Sequence, residues 1–329
     1  MKVCFYAMRD FDELPMAEKF GAQYGIDFTW TAEYPNEENI CLAKGCDCVS
    51  FTPCLVTEKW LEQWAGLGVK CIANRSIGYD HVPLKKAKEL GIHVCNATYP
   101  TDCVADFAIM LILMCLRNMN QTMIRAAAQD FTLKHKMGRV LGDLTVGVIG
   151  TGNIGRVLMK HIKGFGCKLL CYDIYKSAEA AEMGEYVDLD TIYKECDVIT
   201  LHCPSTPQTF HMLNAEAFAK MKDGVCIVNT ARGNLIDSEA LIANINNGKV
   251  GSAGLDLLEN ENGLYYYNRC GETINNNELN MLRSFPNVIV SPHVAFYVES
   301  TVANMIEKAY ISTNAAVNGL PNPNEIKIN

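Results

Sequence analysis

The stretch that most constrains this chain is TVGVIGTGNIGRVLMK, residues 145–160. A β-branched apolar run stops at Gly150, the glycines follow as G-x-G-x-x-G, and helical spacing of apolar residues resumes after them. A strand that turns this tightly into a helix is half of a parallel βαβ unit. In that setting Gly150 suits the tight turn, Gly152 lets the backbone approach a pyrophosphate, and Gly155 lets the helix lie close on the strand. The start of the helix offers unpaired N–H groups and a partial positive charge to phosphates. The motif alone also occurs in adenosyl binders and ordinary tight loops, so its surroundings decide. The next strand-like run, CKLLCYD, ends in Tyr172 and Asp173, about 20 residues on, where a carboxylate binds a ribose 2′-hydroxyl and repels a 2′-phosphate. Gly150, Gly152, Asn153, Ile154, Gly155, Tyr172 and Asp173 are therefore candidate cofactor contacts, with NAD favoured over NADP.

The position of this motif also orders the chain. In a simple amino-terminal dinucleotide domain it would fall near the start. Here a full series of strands (VCFYAM, CDCVSF, VKCIAN, IHVCNA) alternating with amphipathic helices precedes it, and a second series of six strands begins with it. Alternation of this kind builds open, mostly parallel sheets covered by helices. The expectation is an α/β protein of two Rossmann-like, doubly wound parallel-sheet domains: residues 1–99 with 299–329, and residues 100–298. A long helical segment, roughly 102–129, leads from the first series toward the second.

Bulk properties exclude other classes. The formal charge of −8 argues against a nucleic-acid partner, which needs a basic stripe. The longest apolar run, residues 108–116, is too short to span a bilayer and reads as the buried part of a helix, so no membrane partner is expected. Fifteen cysteines form no paired C-x-x-C pattern, and many sit inside apolar strand-like runs. A reducing cytoplasm is the simplest reading, and nothing at the amino terminus resembles a signal peptide. No H-x-x-x-H or H-E-x-x-H pair supports a metal.

Parallel sheets of this type bind ligands beyond the carboxyl ends of their strands. In the second series those ends carry Gly150, Asp173, Cys203-Pro204, Thr230-Ala231-Arg232-Gly233, Asp256 and Pro292-His293. Arg232 has the fork that holds a carboxylate with two parallel hydrogen bonds, although a lone arginine is about as often a surface ion pair. His293 is the side chain suited to proton delivery near neutral pH, although a single histidine is more often a satisfied core residue. Glu261 is a solvated loop acid or, paired with His293, the group that orients the ring and favours its charged form. His202 is the second imidazole to consider.

Several of these segments together carry a resemblance that runs nearly end to end: RSIGYDHV (75–82), VGVIGTGNIG, NTARGNLID (229–237), GLDLLENE (254–261) and SPHVAFY (291–297). The chain resembles the D-isomer-specific 2-hydroxyacid dehydrogenases, within them the D-lactate dehydrogenase branch, including the dehydrogenases of vancomycin-resistance clusters. The resemblance implies a flavodoxin-like substrate-binding domain, an NAD-binding Rossmann domain and an active-site cleft between them. It implies that Arg232 binds and polarises a 2-keto acid, that His293 is the acid–base with Glu261 as its partner, and that the backbone of Ile77-Gly78 binds the substrate carboxylate. Cofactor contacts extend to Cys203, Pro204, Thr230, Ala231 and Asp256, and a homodimer is expected. Tyr99, Phe296, Tyr297 and Phe51 are candidates for the wall around the substrate side chain. No spare cation accompanies them, so pyruvate or another small or apolar keto acid is expected ahead of 2-oxoglutarate. The usual Tyr-Ser-Pro turn appears as Tyr99-Pro100-Thr101, which alters the pocket wall there. The alternatives are reduction of a larger apolar or aromatic keto acid or formation of 2-hydroxyglutarate. From other classes come an NAD-sensing binding protein and, on the glycine loop alone, an adenosyl-methionine methyltransferase.

Overall fold

A computed structural model describes residues 1–261 and 263–328. The chain divides into two compact units, Met1–Pro100 together with the segment from Tyr297 onward, and Thr101–Phe296. The divisions fall one and two residues from the positions suggested by the sequence, which places Tyr297 and Val298 with the first unit.

The first unit is a five-stranded parallel sheet of β1 (Lys2–Phe5), β2 (Asp27–Trp30), β3 (Cys48–Phe51), β4 (Cys71–Asn74) and β5 (His93–Cys95), in the order β2-β1-β3-β4-β5. This is the flavodoxin-type strand order. Period-two alternation assigns the two faces. Val3, Phe5, Cys48 and Cys71 meet Ala17 and Phe20 of the helix Glu13–Tyr24 and Ile306 and Tyr310 of the helix Glu299–Asn318. Cys4, Val49 and Ile72 meet Leu61, Trp64 and Ala87 on the other face. The chain returns to this unit because the last long helix packs along the first, where the Tyr310 hydroxyl donates to the Ala17 carbonyl at 2.8 Å and the Tyr310 ring stacks on Tyr24.

The second unit holds β6 (Thr145–Ile149), β7 (Lys168–Tyr172), β8 (Glu185–Tyr186), β9 (Val198–Leu201), β10 (Val225–Asn229), β11 (Val250–Leu255) and β12 (Val288–Val290). They form a parallel sheet in the order β12-β11-β10-β9-β6-β7-β8. Two strands were not expected: β2 in the first unit, and β8, which at two residues is too short to show a period. The order reverses direction at β6, so the crevice between β6 and β9 is the topological switch point at which such sheets bind ligands. Both doubly wound parallel sheets expected from the sequence are present.

The expected long helix is two helices, Asp102–Leu116 and Met119–Ala127. They are separated at Asn118, whose φ of 50° is left-handed and ends the first helix. The apolar run within the first is buried through Ala108, Ile109, Leu111, Ile112, Cys115 and Leu116. Among the described residues no helix is long and apolar enough to cross a membrane. All fifteen cysteines are unpaired.

Candidate active site

The three motif glycines are required for three different reasons. Gly150 has φ +100°, and a Cβ there would lie 2.5 Å from the backbone of His202. A Cβ on Gly155 would lie 2.0 Å from the Gly150 carbonyl oxygen. These two are demanded by the fold itself. A Cβ on Gly152 would meet nothing within 4 Å, so the chain leaves open space beside it. The helix Asn153–Ile162 that starts there has no side-chain cap, which leaves its first N–H groups to an external acceptor. At the end of β7 the Asp173 carboxylate accepts from the Thr151 N–H at 2.6 Å and from the Tyr175 N–H at 2.9 Å. Asp173 thus ties the glycine loop to the neighbouring strand, with acceptor capacity remaining for a ribose hydroxyl.

Beyond β9 the two candidate sulfur and imidazole groups are inactive by environment. Burial pushes the Cys203 thiol up to about 12, and its Sγ lies 3.7 Å from the Met212 sulfur. Burial pushes His202 down to about 3. Its Nε2 pairs with the Thr200 hydroxyl at 2.9 Å, while Nδ1 is buried without a partner among the described residues. His202 is therefore a neutral packing residue near pH 7. Pro204 is exposed, and its carbonyl accepts from the Thr209 hydroxyl.

After β10 the chain turns sharply. The Asn229 side chain accepts from the Ala231 N–H and donates to the Arg232 carbonyl, and Thr230 is buried with its hydroxyl unpartnered among the described residues. Arg232 Nη1 donates back to the Ala231 carbonyl at 2.8 Å. Gly233 follows, and a Cβ there would lie 2.0 Å from the Leu258 carbonyl carbon. Only glycine lets the Arg232 turn lie directly against the segment that leads to Glu261.

That segment and the one after β12 meet at His293. Glu261 Oε1 is 2.9 Å from His293 Nδ1, and Glu261 Oε2 accepts from the Leu258 N–H at 2.9 Å. An ionised carboxylate only accepts, so it selects the tautomer with a proton on Nδ1 and directs Nε2 outward. The side chains of His293 and Glu261 are 27% and 21% exposed, so the pair is reachable without being fully solvated. His293 itself has φ +54°, a left-handed conformation that costs roughly 1–2 kcal/mol and persists only where neighbours hold it. Asp256, with no exposed surface, supplies much of that hold. Its carbonyl accepts from the His293 N–H, and its carboxylate accepts from Ser291, Val294 and Ala295. Those three bonds occupy about three of its four acceptor positions. Phe296 stands edge-on to the imidazole at 6.2 Å.

Arg232, Glu261, His293 and Phe296 thus lie in the second unit on the strand-end side that also carries the glycine loop. Ile77, Gly78, Tyr99 and Tyr297 lie in the first. There the Ile77 carbonyl accepts from Asn96 and the Gly78 carbonyl from Asn74 and Ser76, while the N–H groups of Ile77 and Gly78 have no partner among the described residues. The Tyr297 hydroxyl donates to Asp12 at 2.7 Å, with the Arg9 guanidinium over its ring. Phe51 is a correction. It has no exposed surface and stacks on Trp64 at 5.8 Å, so it belongs to the core and not to a pocket wall. Sequence reasoning missed Tyr266, whose hydroxyl donates to the His293 carbonyl at 2.8 Å. It sits in an irregular loop where no periodicity marks it.

The family model for "D-isomer specific 2-hydroxyacid dehydrogenase, NAD binding domain" matches residues 109–295. The D-lactate dehydrogenase of Escherichia coli (strain K12) is 36% identical over 329 residues, covering 99% of this chain and 100% of that one. This chain belongs to the D-isomer-specific 2-hydroxyacid dehydrogenase family. An aromatic 2-oxoacid reductase of Clostridium sporogenes is 40% identical over 314 residues, 93% of each chain. Among solved structures, the NAD-complexed D-isomer-specific 2-hydroxyacid dehydrogenase of Lactobacillus delbrueckii ssp. bulgaricus superposes with a TM-score of 0.84 at 28% identity, covering 99% of this chain and 100% of that one. The dehydrogenase is an NAD-dependent oxidoreductase of the branch that contains the D-lactate dehydrogenases. Its residues fit the cofactor: open space at Gly152, an uncapped helix start for the pyrophosphate and a carboxylate at the end of β7.

Proposed function

We propose that this dehydrogenase reduces a small 2-keto acid, pyruvate first, to the D-2-hydroxy acid, with His293 as proton donor. The observation that carries the reading is the His293–Glu261 pair at 2.9 Å, half-open beside the Arg232 turn. When bound, the reduced nicotinamide supplies the hydride for C2 of the substrate. His293 delivers the proton at Nε2 to the forming alkoxide, and Glu261 keeps the ring in the required tautomer and orientation. Arg232 offers its fork to the keto acid and polarises it. The N–H groups of Ile77 and Gly78 support a role in binding the carboxylate, and Tyr99, Phe296 and Tyr297 a role beside the substrate side chain. Gly150, Gly152, Asn153, Ile154, Gly155, Tyr172, Asp173, Cys203, Pro204, Thr230, Ala231 and Asp256 are proposed as the cofactor's neighbours.

A second substrate reading, an aromatic keto acid such as phenylpyruvate, is favoured by the Phe296 and Tyr266 rings near His293 and by the Clostridium sporogenes relative. In both readings 2-oxoglutarate is disfavoured, because none of Tyr99, Phe296 and Tyr297 offers a cation to its second carboxylate. The test is kcat/KM with NADH for pyruvate, 2-ketoisocaproate, phenylpyruvate and 2-oxoglutarate. A maximum at pyruvate supports the first reading, a maximum at phenylpyruvate replaces it with the second, and a maximum at 2-oxoglutarate overturns both. No turnover of any, with NADH still bound, leaves an NAD-sensing binding protein.

We also propose a homodimer in a reducing compartment. Phe131, Leu133 and Met137 are 78%, 87% and 91% exposed within one short segment, an apolar patch of the kind that marks interaction surfaces. The fifteen free thiols support the compartment. Sedimentation velocity of the wild type and of Leu133→Ser with Met137→Ser tests the dimer: an unchanged sedimentation coefficient removes this segment from it.

A further inference from the structure

The backbone of His293 is held from two sides, and one of them has no counterpart in the chemistry assigned so far. Asp256 takes the N–H groups of the turn, through its own carbonyl for His293 and its carboxylate for Val294 and Ala295. The carbonyl of His293 accepts the Tyr266 hydroxyl at 2.8 Å. The Tyr266 ring is centred 6.2 Å from the imidazole and 6.5 Å from the Phe296 ring, which it meets edge-on at 84°.

Tyr266 and Glu261 come from the same loop. The Leu264 N–H donates to the Glu261 carbonyl at 3.0 Å. The far side of the loop is tied by Arg269, which donates to the Gly263 carbonyl, pairs with Glu272 at 2.8 Å and lies over the Tyr267 ring. One loop therefore grips His293 at two points, the carboxylate on Nδ1 and the phenol on the backbone carbonyl. A residue at φ +54° is displaced easily when a fastening is removed, and displacement of the ring changes its distance to Glu261 and to the substrate.

We propose that Tyr266 is a positioning residue for the proton donor: its hydroxyl fixes the His293 backbone so that Nδ1 meets Glu261 and Nε2 meets the substrate. The proposal rests on the reading of His293 as the proton donor. Tyr266 is 46% exposed, so its hydroxyl exchanges readily with water and contributes little to global stability. Loss of that hydroxyl is felt in geometry, where misplacement by about 1 Å costs on the order of 10²-fold in rate.

The test is Tyr266→Phe, with Tyr267→Phe as the control on the same loop. For keto-acid reduction, Tyr266→Phe is expected to lower kcat by roughly 10-fold with KM within about twofold, and with Tm close to wild type. Tyr267→Phe is expected to change none of these. Because both groups act through one ring, Glu261→Gln combined with Tyr266→Phe should lose less than the product of the single losses. A readout without substrate is the His293 Nδ1 proton resonance, present downfield in wild type through its bond to Glu261, shifted upfield in Tyr266→Phe and lost in Glu261→Gln. Unchanged kcat and resonance in Tyr266→Phe, fully multiplicative losses, or an equal effect of Tyr267→Phe would each overturn the proposal. Near-normal turnover by His293→Ala would overturn the proton-donor reading instead, and the resonance would still report whether Tyr266 sets the ring.

Discussion

Two carboxylates, one in each unit, each bound to a nitrogen base, show what burial does to such a contact. In the first unit Arg75 and Glu13 meet at 3.1 Å with both side chains at 0% exposure. Arg75 spends its remaining donors on the Tyr6 and Ala7 carbonyls and the Ser50 hydroxyl. In the second unit His293 and Glu261 meet at 2.9 Å with both side chains partly exposed. The first pair is closed on itself: every guanidinium nitrogen has an acceptor and neither side chain is exposed. The second keeps one ring nitrogen outward. The difference teaches that such a pair can do chemistry only where one partner retains an unspent polar atom facing solvent, and that a saturated pair serves the fold. The first pair also has a neighbour in Arg9, whose contacts with Asp12 and Glu13 extend the network to Tyr297 near the surface.

The largest break in this comparison is expected at the open pair. His293→Ala should lower kcat for keto-acid reduction on the order of 10²–10⁴-fold, the usual contribution of a positioned acid–base group, while unfolding free energy changes little. Loss of stability without loss of turnover would reverse the roles assigned to the two pairs. Next, Arg75→Met removes one of the two guanidinium partners of the buried Glu13 carboxylate, leaving Arg9, and should cost about 1.5–3 kcal/mol of stability, read from urea unfolding. Adding Glu13→Leu should recover part of it, but not all, because the Tyr6 and Ala7 carbonyls stay unpaired. A stability equal to wild type in Arg75→Met would show that the pair is not closed.

A third test concerns an imidazole with no acidic partner. Burial lowers His202 from its usual 6.5 to about 3. The unfolded chain therefore binds this proton more readily than the folded one, so its contribution to stability is complete above about pH 6.5 and is lost as pH falls toward 3. Between pH 6.5 and 5 the wild type should lose about 2 kcal/mol that His202→Gln does not lose, at about 1.4 kcal/mol per pH unit. Parallel stability curves for the two proteins would remove this assignment. Asp173→Ala, at the rim of the glycine loop, should narrow the preference for NADH over NADPH by about tenfold, the worth of a charge-assisted hydrogen bond. An unchanged ratio of kcat/KM values would place the discrimination elsewhere. The smallest effect is expected at the exposed end of the network, where Tyr297→Phe removes the Asp12 contact and should change stability by less than about 1 kcal/mol.

The alternation of strands and helices, the two units and the turn at Gly150 were all legible in the chain, because each follows from local period and local backbone geometry. So was the set of polar residues at strand ends, since a parallel sheet places those ends on one side whatever fills its core. The break at Asn118 was not, because nothing in the apolar period announces a left-handed residue between two helical runs. Neither were the strand β2 and the two-residue strand β8. Phe51 is apolar at a strand end, which from sequence suits a pocket wall and a core equally; Trp64, thirteen residues on and on a helix, decided for the core.

What the sequence by itself determined about this protein is its architecture, its cofactor class and the residue types at the strand ends, because these depend on spacing along the chain. Only the tertiary structure decided which of two histidines has a ring nitrogen buried and unpaired among the described residues and which meets a carboxylate, that Gly233 lets the Arg232 turn touch the Glu261 segment, and that Tyr266 fastens His293. The reason is physical: burial, hydrogen-bond saturation and close backbone approach are properties of residues distant in sequence, and they exist only once the chain has brought those residues together.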